Sequence, residues 1–422
     1  MLTKNKLFLI WLFGAISGFT LMISGNTLNF WLAKQQIDIK TIGVFSLILT
    51  PYAFNFIWAP IFDTKKIYWL DNILGHRLSW ICLIQVVLAF FVFVLSCLNP
   101  NQNIYFFALI GFVISFLSSA ADTVLGALKT EIIAKESQGA ASGIYIFGYR
   151  IGTLLSSSGA IYLSSIINWN KIYLIFALII LFFPIILILN IKNINQIKKE
   201  HVLSSTKSYK WYEIFQFIND TLRPIGNWSF IILVIIFLVL YRLPDNFINA
   251  MINPFLIHLN FNELEIASVG KFFGITGAII GGFIASSIMK RKDVINSLLI
   301  FGVIHAVAHS LFIVQEFYGK NILLLFIVNG FESITGGMTM AAYIAFIASL
   351  CQGRFRATQY SFFSAMMGLS RSIFPAISGY IVSKFGWQSF FAFVTIATIP
   401  SLLLVSKLAI ILRNPRPTLA KS

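Results

Sequence analysis

The feature that most constrains this chain is the recurrence of apolar runs long enough to cross a lipid bilayer. A hydrocarbon core takes ~20 mostly apolar residues per helix. Twelve such runs follow one another, centred near residues 20, 50, 88, 116, 152, 180, 240, 276, 305, 335, 368 and 398. Lipid offers no partner to a free N–H or C=O, so each run is expected to be a helix and not an open strand. With 58% apolar and only 11% charged residues, the chain leaves no room for a soluble domain of ordinary composition between the runs. The first run, 7–33, is too long and, at "SGNTLNFW", too polar for a cleaved leader, and is expected to stay as a helix.

The net charge of +16 would suit nucleic acid if the bases shared one soluble face. Instead they punctuate the apolar runs, so nucleic acid is not an expected partner. Lys65, Lys66, Arg77, the six Lys or Arg from Lys192 to Arg223, Lys290, Arg291, Lys292, Arg354 and Arg356 fall on one set of alternate loops. The other set holds only Lys34, Lys40, Lys171, Lys320 and Lys384. This is the positive-inside bias, and it predicts that both termini are cytoplasmic. Cys82, Cys97 and Cys351 have no paired spacing, so they are expected to pack as small apolar residues, with neither metal nor other cofactor implied.

Residues 192–224 are polar and Lys-rich, and they divide the runs into two groups of six, 1–191 and 225–422. The groups echo each other. "GYRIGTLLSSSGAIYL" (148–163) returns as "GLSRSIFPAISGYIV" (368–382): Gly, then Arg, then Ser-Gly, then Trp169 or Trp387 opening the next run. A shorter echo pairs "TIGVF" at 41–45 with "SVGKF" at 268–272. Parallel six-helix repeats are the plan of major facilitator transporters.

Charge within the runs is scarce and therefore informative. The acids are Asp122, Asp245 and Glu332; the bases are Arg150, Arg242, Lys271 and Arg371. Each costs ~2.5–3.5 kcal/mol near the bilayer centre, so these side chains must face protein or water. In "LVLYRLPDNFINAM" (238–251) Arg242 and Asp245 flank Pro244, which removes a helix hydrogen bond and is expected to break the helix beside a solute path. Asp245 is then a candidate proton carrier. Depth arithmetic at ~1.5 Å per residue puts Glu332 and Arg371 at one level and so predicts a salt bridge. Asp122 lies nearer the cytoplasmic end and is expected to meet Lys129 or an inner loop. "HAVAH" sets His305 and His309 one turn apart, a ligand spacing, but no third ligand is evident nearby. Hydrogen bonding between helices is the favoured reading, ahead of proton relay or metal binding.

The segments "SGNTLNFWLAKQQIDIKTIGVFSL", "YAFNFIWAPIFD", "YIFGYRIGTLLSSSGA", "VLYRLPDNF", "GFESITGGM" and "FRATQYSFFSAM" occur in order along nearly the whole chain. In them the chain resembles the AmpG muropeptide permeases of the major facilitator superfamily. The resemblance implies proton-driven import of N-acetylglucosaminyl-1,6-anhydro-N-acetylmuramyl peptides across the bacterial inner membrane, for peptidoglycan recycling. Its implied partners are a small anionic glycopeptide, protons and membrane lipid. It also marks Asn29, Asp122, Tyr149, Arg150, Asp245, Lys271, Glu332, Gln359 and Arg371 as pathway residues, beside Arg242. One line departs from the family pattern: "SSAADTVLGALKTE" has Ala121 where the family has Gln and Gly126 where it has a second Asp. A paralogue carrying another anion, such as a CoA ester, or a membrane sensor without transport, are the alternatives. No nucleophile–base pair points to an enzyme.

Overall fold

The computed structural model describes residues 4–132, 138–190, 222–351 and 356–413, and every regular element among them is helical. Most of the 192–224 linker and both termini lie outside the described residues. The helices group into two compact units. Unit 1 holds residues 1–37 and 54–208; unit 2 holds 38–53 and 209–422.

In unit 1, α1 (Lys4–Ile23) leads into α2 (Asn26–Lys34). A short α3 (Ile39–Val44), running on as a 3-10 turn over Phe45–Ala53 with Pro51 inside it, belongs to unit 2. Unit 1 resumes with α4 (Asn55–Thr64), α5 (Tyr68–Leu74), α6 (His76–Ser96), α7 (Ile104–Ile132), α8 (Gln138–Leu154), α9 (Ala160–Ser164) and α10 (Trp169–Leu189). Unit 2 continues with α11 (Trp228–His258), α12 (Glu263–Glu265), α13 (Phe273–Met289), α14 (Val294–Tyr318), α15 (Ile322–Leu350), α16 (Arg356–Ser372), α17 (Ser378–Ile396) and α18 (Thr398–Arg413).

Among the described residues, eight helical stretches are long and apolar enough to cross a membrane. The difference from twelve runs has a physical reason. The runs near 50 and 276 form shorter apolar helices, Ile39–Ala53 and Thr276–Met289. The run near 152 is interrupted by a π-helical turn at Leu155–Gly159. The last two runs merge in Phe362–Leu412, a 51-residue stretch. At ~1.5 Å per residue that is more than twice a hydrocarbon core, and Pro375 and Gly386 (φ 79°) interrupt it.

Glycine sets the closest helix contact in unit 1. Gly14 and Gly18 of α1 abut the Tyr145 and Tyr149 carbonyls of α8, Gly148 and Gly152 of α8 abut the Trp11 and Ala15 carbonyls of α1, each pair with small-xxx-small spacing, and a Cβ on Gly152 would stand 1.9 Å from the Ala15 carbonyl oxygen. Apolar side chains fill the rest: Phe13, Ile81 and Leu128 in unit 1, and Phe237, Phe301 and Phe346 in unit 2. Phe90, Phe182, Phe283 and Leu403 point outward, as lipid-facing residues do. Cys82 and Cys351 are buried as expected, whereas Cys97, at the end of α6, is exposed.

Candidate functional site

The charges that the sequence places near Pro244 converge with the two histidines on α11, α14 and α15. The helix does not break. α11 runs unbroken through Pro244 and Pro254, which corrects the expected discontinuity. The turn before Pro244 is tied from outside by two hydroxyls: Tyr343 donates to the Leu238 carbonyl at 3.0 Å and Ser370 to the Val239 carbonyl at 2.9 Å. Ser370 in turn accepts from Asn246 at 2.9 Å.

On the next turn Arg242 pairs with Asp245 Oδ2, three residues on and so on the same face. The other carboxylate oxygen meets α14: His305 Nε2 lies 2.5 Å from Asp245 Oδ1 and His309 Nε2 lies 3.2 Å from it. The two Nε2 atoms are 3.1 Å apart. Asp245, His305 and His309 are all buried. From α15, Thr335 Oγ1 stands 2.7 Å from His305 Nδ1, and Gly336 lies beside the ring, where a Cβ would make ordinary van der Waals contact with His305 Cε1 at 3.4 Å. α15 approaches α13 closely as well, a Cβ on Gly281 falling 1.9 Å from the Ile334 carbonyl oxygen.

Glu332, partly buried on α15, is within electrostatic reach of Asp245, His309 and Arg242. The expected Glu332–Arg371 salt bridge is not formed. Arg371 instead lies over the Tyr52 ring, 5.3 Å from its centroid. Residue counting along two helices carries no information on the direction each side chain faces.

The histidines and Asp245 present three ligand-type atoms. Arg242, however, already holds the second carboxylate oxygen and adds a positive charge, and the 2.5 Å contact is a hydrogen bond. The set is a hydrogen-bonded cluster of one carboxylate, two imidazoles and a guanidinium. Burying one partner without the other would cost ~3–5 kcal/mol, which explains why acid and bases occur together.

The Major Facilitator Superfamily model matches residues 10–331 and 296–422. AmpG 1 of Rickettsia bellii, whose name calls it a transporter, is 61% identical, covering 96% of this chain and 98% of its own. The AmpG 1 protein of Rickettsia conorii is 58% identical over 97% and 99% of the two chains. The chain belongs to the AmpG transporters of the Major Facilitator Superfamily. AmpG 4 of Rickettsia conorii is only 30% identical over 95% of each chain, so this sequence sides with the AmpG 1 group. Among solved structures, a D-xylose–proton symporter shares the fold with a TM-score of 0.67 at 12% identity, covering 96% of this chain and 97% of that one. The nucleoside transporter NupG does so with 0.66 at 15%, covering 95% and 99%.

As an AmpG-family secondary transporter, the chain carries its other marked residues outside this cluster. In unit 1, Lys129 Nζ sits 4.3 Å over the Tyr145 ring, and Asp122 acts electrostatically on the same tyrosine. Arg150 and Tyr149 are partly buried on α8, and Asn29 is buried on α2. In unit 2, Gln359 is buried on α16. Lys271 is on the π-helical turn Ile266–Phe272, its side chain outside the described residues.

Sequence reasoning missed Thr335 and left His305 and His309 as a packing pair. The signal was present: "VLYRLPDNF", "HAVAH" and "GFESITGGM" each carry a polar side chain into an apolar run, and the fold joins them.

Proposed function

We propose that the chain is a proton-driven importer of anhydro-muropeptides across the bacterial inner membrane. Twelve spans, with both termini in the cytoplasm, form bundles 1–191 and 225–422 joined by the 192–224 linker. The observation that carries the coupling is the buried Arg242–Asp245–His305 cluster. Ionisable groups in a transporter interior mark ion pathways, and this cluster brings exchangeable protons and a fixed positive charge together. The AmpG name of close relatives supports the substrate class, and the fold shared with a proton symporter supports the energy source.

Arg150 in unit 1 and Arg371 in unit 2 each carry the forked donor set that a carboxylate of an anionic glycopeptide requires. Replacing either with Gln is expected to weaken binding at least about tenfold while the protein still inserts. Equilibrium binding of labelled ligand to detergent-purified protein checks this.

The test of the function is uptake of labelled anhydro-muropeptide into proteoliposomes, with and without an imposed pH gradient. Accumulation that needs an acidic outside supports the reading; transport indifferent to the gradient refutes the coupling. Ala121 and Gly126 keep a second substrate in view, an anion such as a CoA ester. If excess CoA ester, but not unlabelled muropeptide, competes for uptake, the second reading replaces the first.

A further inference from the structure

The hydrogen bonds of the cluster distinguish the two histidines. His309 can donate from Nε2 to Asp245 Oδ1 at 3.2 Å, but its buried Nδ1 has no hydrogen-bond partner among the described residues. A neutral ring leaves only a lone pair unmatched there. An imidazolium would bury an orphaned N–H, a costlier defect, so the surroundings of His309 suit the neutral form. His305 has a partner on each nitrogen: Asp245 Oδ1 at 2.5 Å on Nε2 and Thr335 Oγ1 at 2.7 Å on Nδ1.

The Thr335 hydroxyl is the part that can change. It lies 2.8 Å from the Phe331 carbonyl and 3.0 Å from the Glu332 carbonyl, as well as beside His305. With His305 neutral, Nε2–H donates to Asp245 and Nδ1 accepts the threonine O–H. When a second proton occupies Nδ1, the ring donates on both sides. Thr335 Oγ1 then accepts, and its own hydrogen turns to the Phe331 carbonyl. Every polar atom of the His305–Thr335 pair has a partner in both states, and no heavy atom has to move.

We infer that His305 is the group that takes up and releases the coupling proton, with Thr335 as the positioning residue whose hydroxyl turns to admit it. This rests on the proton-coupled reading above. Asp245 is then the fixed counter-ion, kept an anion by Arg242, and not the carrier itself. The charged and titratable groups around His305 are Arg242, Asp245 and Tyr241 on α11, His309 on α14 and Glu332 on α15. From α17 Phe391 stacks on Phe312 of α14, and from α18 Leu402 lies at Gly302.

The experiment is 15N NMR of histidine-labelled full-length protein in detergent over about pH 5 to 8, the range in which histidine ordinarily changes charge. The His305 signals are assigned by their loss in His305→Gln. Wild type is expected to pass from a ring protonated on Nε2 alone to a doubly protonated ring. Thr335→Ser keeps that transition. Thr335→Val moves its midpoint by about one pH unit or more, roughly tenfold in proton affinity. In proteoliposomes, Thr335→Val loses gradient-driven accumulation while counterflow stays within about a factor of two, a split between coupling and binding. A His305 ring fixed in one state in wild type, or the same titration in Thr335→Val as in wild type, overturns the inference. If wild-type uptake ignores the pH gradient, the proton-coupled reading fails instead, whatever the spectra show.

Discussion

In unit 1 the polar groups buried where α1 meets α7 are neutral: Ser118 donates to Thr20 at 2.7 Å, and Thr20 to the Ser17 carbonyl at 3.3 Å. In unit 2 the groups buried where α11 meets α14 and α15 are a carboxylate, two imidazoles and a half-buried guanidinium. The hydroxyls are hydrogen-bonded throughout and the charged cluster is so except at His309 Nδ1, and the two differ in cost and capability. A hydroxyl satisfied within its own helix contact costs little in lipid, and it stabilises a helix pair by roughly 0.5–2 kcal/mol. A charge costs ~2.5–3.5 kcal/mol before it is paired, so a cluster of charges persists where protons or ions must be handled. Although the halves echo each other in sequence, the charged chemistry at the centre of a helix contact is concentrated in the second.

The sharpest way to break this contrast is to unbalance the charged cluster. Arg242→Gln leaves Asp245 without its permanent cation, and the expected loss is ~3–5 kcal/mol of stability. A second change, Asp245→Asn in the same protein, is expected to restore most of it. Thermal unfolding in detergent reads both. If the double variant is no more stable than Arg242→Gln, the pairing is not what holds α11 in place.

The next largest effect is on coupling. Asp245→Asn keeps the shape of the side chain but removes the charge that balances a protonated His305. Counterflow of labelled substrate should survive while accumulation driven by a pH gradient disappears. Loss of both together, with folding intact, would mean that Asp245 also builds the substrate path.

How much of this was legible follows from what sequence encodes locally. Apolar runs, the basic loops and the Arg242–Asp245 pair lie within single helices, and periodicity exposes them. The identity of the third partner for "HAVAH" does not, because Asp245 is 60 residues from His305 and on another helix. Residue counting puts Glu332 and Arg371 at one level, yet Glu332 neighbours the histidine cluster and Arg371 lies over Tyr52. Pro244 was read as a break because a proline removes a bond; Tyr343 and Ser370, which tie the preceding turn, come from helices that local pattern cannot place.

A smaller effect sharpens the unit 1 side. Gly152→Val puts a side chain where even a Cβ would be 1.9 Å from the Ala15 carbonyl, so α1 and α8 must separate. Overpacking of this kind costs ~1–3 kcal/mol. Gly126→Ala, with nothing within 4 Å of the new Cβ, should instead stabilise α7 by about 0.5–1 kcal/mol through helix propensity. Melting curves for the two variants should therefore move in opposite directions. Equal shifts would show that contact between α1 and α8 does not limit the stability of unit 1.

The smallest expected effect is the most searching test of the comparison. Ser118→Ala removes a neutral hydrogen bond to Thr20, whose own hydroxyl still has the Ser17 carbonyl to donate to. The loss should be about 0.5–1.5 kcal/mol in stability. Neither residue holds a formal charge, and nothing in their bonding offers a second resting place for a proton comparable to the two faces of His305. Accumulation and its dependence on the pH gradient should therefore match wild type when expression is equalised. The measurement is uptake across a series of imposed gradients, with Thr335→Val run beside it. If Ser118→Ala flattens the gradient dependence while its melting temperature is nearly unchanged, the hydroxyls between α1 and α7 belong to the proton path. The division between a neutral contact of α1 with α7 and a charged one of α11 with α14 and α15 would then have to be abandoned.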